Sequence, residues 1–298
     1  QATGMARVFL CSSGAEAVEG AIKIARLTTG RRGVIAAMRG FHGRTLGALS
    51  ATWEKHYRDP FAPLVPEFTH VSFNNLDRLA AALSADTAAV ILEVVQGEGG
   101  VHPAAPGYLA AVHDLCKQNG TLLILDEVQT GFGRTGRLFA HQHDGVMPDL
   151  LCLAKSMAGG LPMGAVVMHE SIPPLPAGTH GSTFGGNPLA CAAGLAVLDV
   201  LETTDLVDRT QTRGAAVIQY LREHVSPQIA REVRGRGLMI GIELRNKVAP
   251  VLRALSERGV LALPAGPAVL RLMPPLVIED AALWQAAETV VEVLSEDS

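Results

Sequence analysis

Three short stretches of the sequence place chemically useful groups beside apolar segments. Lys155 follows the apolar run LLCLA, and Asp126 follows the apolar run LLIL. The sequence Ser13-Gly14-Ala15 joins a strand-like segment to a helical one. A lysine amine becomes a good nucleophile when loss of water or a nearby cation lowers its pKa. We expect the apolar end of a strand to provide that desolvation for Lys155.

Together these groups match the requirements of a pyridoxal phosphate site. The Lys155 amine can form an imine with the cofactor aldehyde, and the Asp126 carboxylate can keep the ring nitrogen protonated. The N–H groups that open a helix at Gly14 can bind the phosphate. Taken singly, each feature has an ordinary structural explanation, because a lysine at a strand end often only extends to water. The hypothesis therefore depends on the three groups meeting at one place.

The segments that must position these groups alternate between strand-like and helical patterns. Continuous apolar runs such as AAVILEVV, TLLILDEV, DLLCLAK and GAVVMHE are separated by helical segments such as PGYLAAVHDLCKQNG. This pattern predicts an α/β fold with a parallel sheet buried on both faces, whose strands end at a shared edge. After about residue 205 the pattern becomes that of a smaller α+β unit. We therefore predict a large domain at 1–205 and a small C-terminal domain at 206–298.

Composition and charge exclude several classes of protein. The chain has 298 residues, 48% of them hydrophobic, and a net charge of −4, which gives no electrostatic reason to expect nucleic acid as a partner. No apolar run approaches the ~20 residues of a membrane span, and no signal peptide is recognisable. The cysteines lack a C-x-x-C pair, so we expect no metal site. They are predicted to be buried thiols of a cytoplasmic protein: Cys11, Cys116, Cys152 and Cys191.

Two other motifs favour different chemistry but are weak. The sequence GFGRTG has the glycine spacing of a dinucleotide-binding turn, yet the residues after it form a poor helix. The acidic end of LLILDE is also typical of P-loop NTPases, but no lysine in this chain follows a glycine, so the phosphate loop is absent. His141 and His143 are predicted to lie in a solvated loop.

Seven motifs in order resemble the class III, fold-type I pyridoxal phosphate aminotransferases of the acetylornithine and ornithine group. They are SSGAEAVEGAIKIAR, FHGRT, VQGEGGV, LLILDEVQTGFGRTG, LAKSMAGGLPMGA, GSTFGGNPLA and RLMPPL. The resemblance covers essentially the whole chain. It implies a mostly parallel sheet in the large domain, a pyridoxal phosphate cofactor and a homodimer.

The resemblance also assigns roles to individual residues. Lys155 would carry the imine link to the cofactor and move the proton, with Asp126 on the ring nitrogen. The other cofactor contacts would come from Gly14 and Ala15 at the phosphate, Gln129 at the ring hydroxyl, Phe41 on the ring face, and Thr183, which reaches the phosphate of the neighbouring subunit. The substrate contacts would come from Arg44 and Arg271 at carboxylates, Ser182 near the substrate, and Glu98, which would mask Arg271.

Long segments resemble the lysine-biosynthesis branch of this family most. That branch implies glutamate and 2-oxoglutarate as one substrate pair, and lysine or aminoadipate semialdehyde attached to the acidic carrier protein LysW as the other. Acetylornithine aminotransferase, of arginine biosynthesis, is the alternative within the same fold.

Two departures from the family pattern support a third hypothesis. The phosphate loop has Ala15 where the family usually has threonine, and family members carry a segment before this loop, so we expect that an N-terminal segment is missing here. Loss of a hydroxyl donor to a charged group costs about 1.5–3 kcal/mol. These features would suit a catalytically inactive relative with a binding or structural role, whereas the presence of Lys155 and Asp126 argues against it.

Overall fold

The computed structural model describes residues 2–296, which form two compact units. The first unit comprises the chain up to Val94, Ala104–Phe132 and Phe139–Thr203. The second comprises Val95–Pro103, Gly133–Leu138 and the chain from Thr204 onward. The sequence predicts one division near residue 205, and the structure assigns two short earlier segments to the second unit as well.

The strands and helices alternate along much of the chain. The strands are β1 (Arg7–Cys11), β2 (Gly33–Ala37), β3 (Phe68–Val71), β4 (Thr87–Glu93), β5 (Val95–Gln96), β6 (His102–Pro103), β7 (Leu122–Asp126), β8 (Leu150–Leu153), β9 (Gly164–Met168), β10 (Ala230–Arg236), β11 (Met239–Leu244), β12 (Leu263–Pro264) and β13 (Val269–Leu272). The α-helices are α1 (Gly14–Thr29), α2 (Leu46–Ala51), α3 (Lys55–Arg58), α4 (Leu76–Ala82), α5 (Tyr108–Asn119), α6 (Pro188–Thr203), α7 (Leu206–His224), α8 (Ala249–Glu257) and α9 (Asp280–Glu296).

The first unit is built on a seven-stranded, mostly parallel sheet in the order β1-β9-β8-β7-β4-β2-β3. The prediction that GAVVMHE joins a parallel sheet is wrong, because β9 is antiparallel to both of its neighbours. The link from β8 to β9 contains only a short 3-10 turn at Lys155–Ala158 and no crossover helix, and parallel neighbours need a longer crossover. Since β1 and β8 both oppose β9, β1 still ends at the same edge as β7 and β8.

The sheet and α1 form the core of the first unit. Every residue of β4 and β8 is buried, which explains their continuous apolar sequences. Helix α1 begins at the N-cap Ser13 and ends at Gly30, whose φ of 68° is typical of a glycine C-cap. Its apolar face packs with the sheet. Full burial of one side chain such as Ile124 contributes about 1.5–3 kcal/mol.

The second unit contains a four-stranded antiparallel sheet in the order β10-β11-β13-β12. It also contains a separate short hairpin of β5 and β6. Helices α7, α8 and α9 pack with this sheet around a core that includes Leu221, Ile242, Leu255 and Val290. This unit has the α+β composition that the sequence predicts for the C-terminal part of the chain.

Two predictions about individual side chains need correction. His141 is buried rather than solvated, because its Nδ1 atom lies 2.8 Å from the Glu127 carboxylate, which also accepts hydrogen bonds from the N–H groups of Ala140 and His141. Cys191 is only half-buried, whereas the other three cysteines are buried. Over residues 2–296, no helix combines the length and apolar character that a bilayer crossing requires.

Candidate active site

A cavity of about 430 Å³ lies in the first unit, at the edge where β1, β4, β7 and β8 end. It brings together most of the residues expected to hold a cofactor. Six predicted residues line it: Gly14, Ala15, Phe41, Asp126, Gln129 and Lys155. Three groups that could each be structural alone therefore share one site.

The first turn of α1 supplies an anion-binding end to this cavity. The Ser13 hydroxyl accepts a hydrogen bond from the Glu16 N–H, and the Glu16 carboxylate accepts one from the Ser12 N–H. The N–H groups of Gly14 and Ala15 lie at the start of the helix and therefore have no acceptor within it, so they can bind an anion. A Cβ atom at Gly14 would lie 2.8 Å from Val128 Cγ1, so a side chain at this position would displace Val128.

Asp126 presents a fixed and nearly buried carboxylate to the cavity. Its side chain is 5% exposed; Oδ1 accepts a hydrogen bond from the Val128 N–H at 3.0 Å, and Oδ2 lies 2.8 Å from His42 Nδ1. Burial alone lowers the pKa of His42, but its hydrogen bond with Asp126 and the charges of Asp126 and Glu93 outweigh burial and raise that pKa.

His42 and Glu93 are members of the site that the sequence did not identify. Glu93 ends β4, lines the cavity and accepts a hydrogen bond from the Phe41 N–H at 2.9 Å. His42 follows Phe41 in FHGRT, but its partner Asp126 is 84 residues away. In the sequence Glu93 lies within the apolar run AAVILEVV and does not end it as Asp126 ends LLIL, so the signal that identified Asp126 did not identify Glu93.

Lys155 lies just after the end of β8 and has an unusual backbone conformation. Its φ is 47°, in the left-handed region that residues other than glycine rarely adopt. The side chain is exposed, so the protein chain does not bury it in the way the sequence analysis expected. The reason is that β8 ends at Leu153 and Lys155 begins a 3-10 turn, which carries it beyond the buried strand. Such strain outside glycine is concentrated at functional sites.

Three predicted residues of the first unit lie outside the cavity lining. Arg44 is exposed, and its guanidinium carbon lies 4.4 Å from the ring centroid of Tyr57, which contacts the Phe41 ring edge to face at 5.7 Å. Ser182 is half-buried and accepts a hydrogen bond from the Gly185 N–H at 3.2 Å, whereas Thr183 is exposed. Arg44 is thus linked to the cavity through two aromatic rings.

The last two predicted residues contact each other within the second unit. Glu98 Oε1 lies 2.7 Å from Nη1 of Arg271, which is on β13 and almost fully buried. The Arg271 guanidinium is therefore paired with a carboxylate of the same chain.

The chemistry of the cavity fits pyridoxal phosphate. Helix N–H groups suit a phosphate, the buried Asp126 carboxylate suits a protonated ring nitrogen, and the lysine amine suits an aldehyde. Phe41 adds an aromatic wall.

Comparison with known proteins leads to the same chemistry. The model of the class-III aminotransferase family matches residues 1–294. The chain is 49% identical over 296 residues to the LysW-aminoadipate semialdehyde transaminase of Deinococcus radiodurans, covering 98% of this chain and 69% of that protein. It is 48% identical over 295 residues to the acetylornithine aminotransferase of Methanosarcina acetivorans, covering 99% and 73%.

The structural comparison agrees. The ornithine aminotransferase of Toxoplasma gondii, a structure with partial occupancy of pyridoxal phosphate at its active site, superimposes with a TM-score of 0.95 at 38% identity, over 99% of this chain and 74% of that one. The expected fold and cofactor are therefore confirmed: the chain belongs to the class-III aminotransferases, which are pyridoxal phosphate-dependent transaminases of fold type I.

Proposed function

We propose that this transaminase moves amino groups between glutamate or 2-oxoglutarate and a substrate that carries a terminal amine or aldehyde. We further propose that this substrate is lysine or aminoadipate semialdehyde attached to LysW. The observation that carries the proposal is the single cavity that joins Lys155, Asp126 and the first turn of α1. The name of the Deinococcus radiodurans relative supports the choice of substrate.

In this proposal, different residues of the cavity contact different parts of the cofactor. The N–H groups of Gly14 and Ala15 bind the phosphate, and Phe41 covers one face of the ring. Asp126 keeps the proton on the ring nitrogen, while Gln129 donates to the ring hydroxyl. When bound, pyridoxal phosphate supplies a ring that accepts the electron pair released at the substrate carbon. Thr183 of one subunit completes the phosphate site of the other, with Ser182 near the substrate.

Lys155 both holds the cofactor and moves the proton that transamination requires. Once the amino donor has displaced it, its amine would take a proton from the substrate carbon as a general base and deliver it, as a general acid, to the imine carbon of the cofactor. The positive φ of Lys155 fixes the direction in which the side chain leaves the backbone. Asp126 supports the same step, because its negative charge, fixed by Val128 and His42, offsets the charge of the protonated ring.

Two arginines hold the substrate carboxylates in this proposal. A planar guanidinium can grip a carboxylate through two parallel hydrogen bonds. Arg271 binds a carboxylate of glutamate, and Glu98 masks Arg271 while the other substrate reacts, as their 2.7 Å contact supports. Arg44 binds the carboxylate of the second substrate.

The contact of Arg44 with an aromatic ring beside the cavity supports an anionic second substrate. Arg44 stacks on Tyr57 of helix α3, which also contains Lys55 and Arg58 and is flanked by Glu54 and Asp59. The Tyr57 ring in turn contacts Phe41, which lines the cavity. Such a group would steer an acidic carrier protein, and the attraction would weaken with salt.

The choice of substrate is tested by comparing free N-acetylornithine with LysW-linked lysine across ionic strengths. We expect a higher kcat/KM for the carrier-linked substrate, and a decline with salt for that substrate alone. Acetylornithine aminotransferase is the second candidate, because a relative with that name is almost as similar. A preference for free N-acetylornithine with little salt dependence would establish this second function.

We also propose a cytoplasmic homodimer. Exposed apolar side chains on the first unit support the dimer: Val8, Phe184, Leu189 and Leu195 are each more than half exposed. Three buried thiols that form no disulfide, Cys11, Cys116 and Cys152, suit a reducing compartment. Sedimentation of the purified protein at the mass of one chain would contradict the dimer.

His42 is expected to tune the cofactor through its contact with the Asp126 carboxylate. Replacement by alanine removes the 2.8 Å contact with the Asp126 carboxylate, and a hydrogen bond to a charged group is worth about 1.5–3 kcal/mol. We therefore expect His42→Ala to lower kcat/KM about tenfold or more, and to shift the pH at which the absorbance of the bound cofactor titrates. His42→Asn, which can still donate a hydrogen bond, should recover part of the activity. An unchanged titration in both variants would exclude this role. The control is His113→Ala, because this side chain is partly exposed on α5 and is not part of the cavity lining.

A further inference from the structure

Three residues form one row across the antiparallel sheet of the second unit. Arg234 of β10 is paired with Gly241 of β11, and Gly241 is paired with Arg271 of β13. Directly opposed residues on neighbouring antiparallel strands extend to the same face of the sheet. The two arginine side chains therefore stand on one face, with the bare backbone of Gly241 between them.

Residues 97–101, the Glu98 loop, lie on this bare backbone. A Cβ atom at Gly241 would be 2.7 Å from Val101 Cβ and 3.4 Å from the carbonyl oxygen of Gly100, so any side chain there would displace the loop. Val101 is fully buried and has a φ of 54°, which is costly for a β-branched residue. Such a conformation persists only where the surrounding structure enforces it.

Arg234 holds the same loop through its main chain. Its side chain is about 5% exposed, and Nε lies 3.0 Å from the carbonyl oxygens of both Gly100 and Val101. Nη2 donates a further hydrogen bond to Gly100 at 2.6 Å. Nη1 is paired with the carboxylates of Glu232 and Glu243 at 2.7 Å each, which offset the cost of burying the guanidinium.

The other end of the row carries the contact between Glu98 and Arg271. The Glu98 carboxylate lies 2.7 Å from Arg271 Nη1, and only Gly99 separates Glu98 from the carbonyl that Arg234 grips. Arg234 thus holds the main chain of the Glu98 loop, while Arg271 contacts the Glu98 carboxylate. Displacement of the loop at Gly100 would move Glu98 away from Arg271.

We propose that Arg234 and Gly241 are positioning residues that hold the Glu98 loop, so that Glu98 masks Arg271. They thereby set how strongly the enzyme discriminates between dicarboxylate substrates and substrates that must not engage Arg271. The inference rests on the proposed function, in which Arg271 binds a carboxylate of glutamate. A loosened loop leaves Arg271 more accessible, so it favours dicarboxylates.

The test uses the holoenzyme variants Arg234→Lys and Gly241→Ala, with glutarate as a dicarboxylate that has no amino or keto group. We expect glutarate to bind about threefold to tenfold more tightly in both variants, as measured by calorimetry, the range expected for coupled neighbouring residues. The rate constant of the half-reaction with glutamate should rise relative to that with N-acetylornithine. Arg231→Lys is the matched control, because Arg231 is also on β10 and near Glu243 but is 56% exposed; it should change neither quantity.

The Glu98→Ala background separates a positioning role from a general structural one. Without the Glu98 carboxylate, Arg234→Lys should no longer alter glutarate affinity or the ratio of the half-reactions. An equal effect in both backgrounds, or no effect in variants with an unchanged melting temperature, would overturn the inference. Gly241→Ala keeps the buried guanidinium intact and provides the test if Arg234→Lys does not fold.

The two levels of the proposal fail differently. If Glu98→Ala alone leaves glutarate affinity and the ratio of the half-reactions unchanged, Arg271 does not bind the substrate carboxylate and the proposed role of this pair is wrong. If Glu98→Ala changes both quantities while Arg234→Lys and Gly241→Ala change neither, only the positioning role is wrong.

Discussion

Lys155→Ala is expected to abolish the visible absorbance of protein-bound pyridoxal phosphate and to lower transamination by at least about a thousandfold. In the proposed function, the variant removes both the amine that links the cofactor to the protein and the group that moves the proton. Absorbance spectra of the purified protein mixed with cofactor, together with single-turnover rates with glutamate, measure the two losses separately. The melting temperature shows whether the variant is folded.

The matched control is Lys117→Ala, which removes a lysine from the exposed side of α5. It should leave both the spectrum and the rates unchanged. Normal half-reaction rates in Lys155→Ala would show that another group performs the proton transfer. A wild-type protein that takes up no cofactor would instead favour the catalytically inactive alternative.

Asp126→Asn is expected to lower kcat by about a hundredfold to a thousandfold, the usual effect of removing one preorganised electrostatic group. Asparagine has the same shape, but its neutral amide cannot hold the proton on the ring nitrogen. The substitution also removes the charge that raises the pKa of His42, while burial continues to lower it. The NMR titration of His42 in the protein without cofactor should therefore move to lower pH.

Asp114→Asn serves as the control, because this carboxylate is exposed on α5. It should change neither the rate nor the titration of His42. If Asp126→Asn moved the His42 titration but left the rate intact, the carboxylate would be a structural partner of the histidine and no support for the ring. If it changed neither, the pair itself would be in doubt.

The sequence predicted those site residues that a local sequence pattern marks. An apolar run that ends in a charged residue is visible without a structure, and this pattern located Asp126 and Lys155. The start of α1 was equally visible, because Ser13-Gly14-Ala15 joins a strand-like segment to a helical one. Since parallel strands end at one edge, these local signals were enough to predict that the three groups meet.

The rest depends on contacts between distant segments. The pairing of His42 with Asp126 and that of Glu127 with His141 join residues that no periodicity relates. The direction of β9 could have been anticipated only from the shortness of its link to β8. The relation between Arg234 and Arg271 is set by strand register, because a slip by one residue would turn one side chain to the opposite face.

The left-handed backbone at Lys155 has an evolutionary consequence. Glycine adopts such a conformation at no steric cost, whereas any residue with a Cβ atom destabilises the fold there by about 1 kcal/mol or more. Lysine therefore occupies this position against the preference of the main chain, as expected if its amine has the role proposed above. In a descendant that no longer needs this amine, glycine is the residue that the backbone itself would favour here.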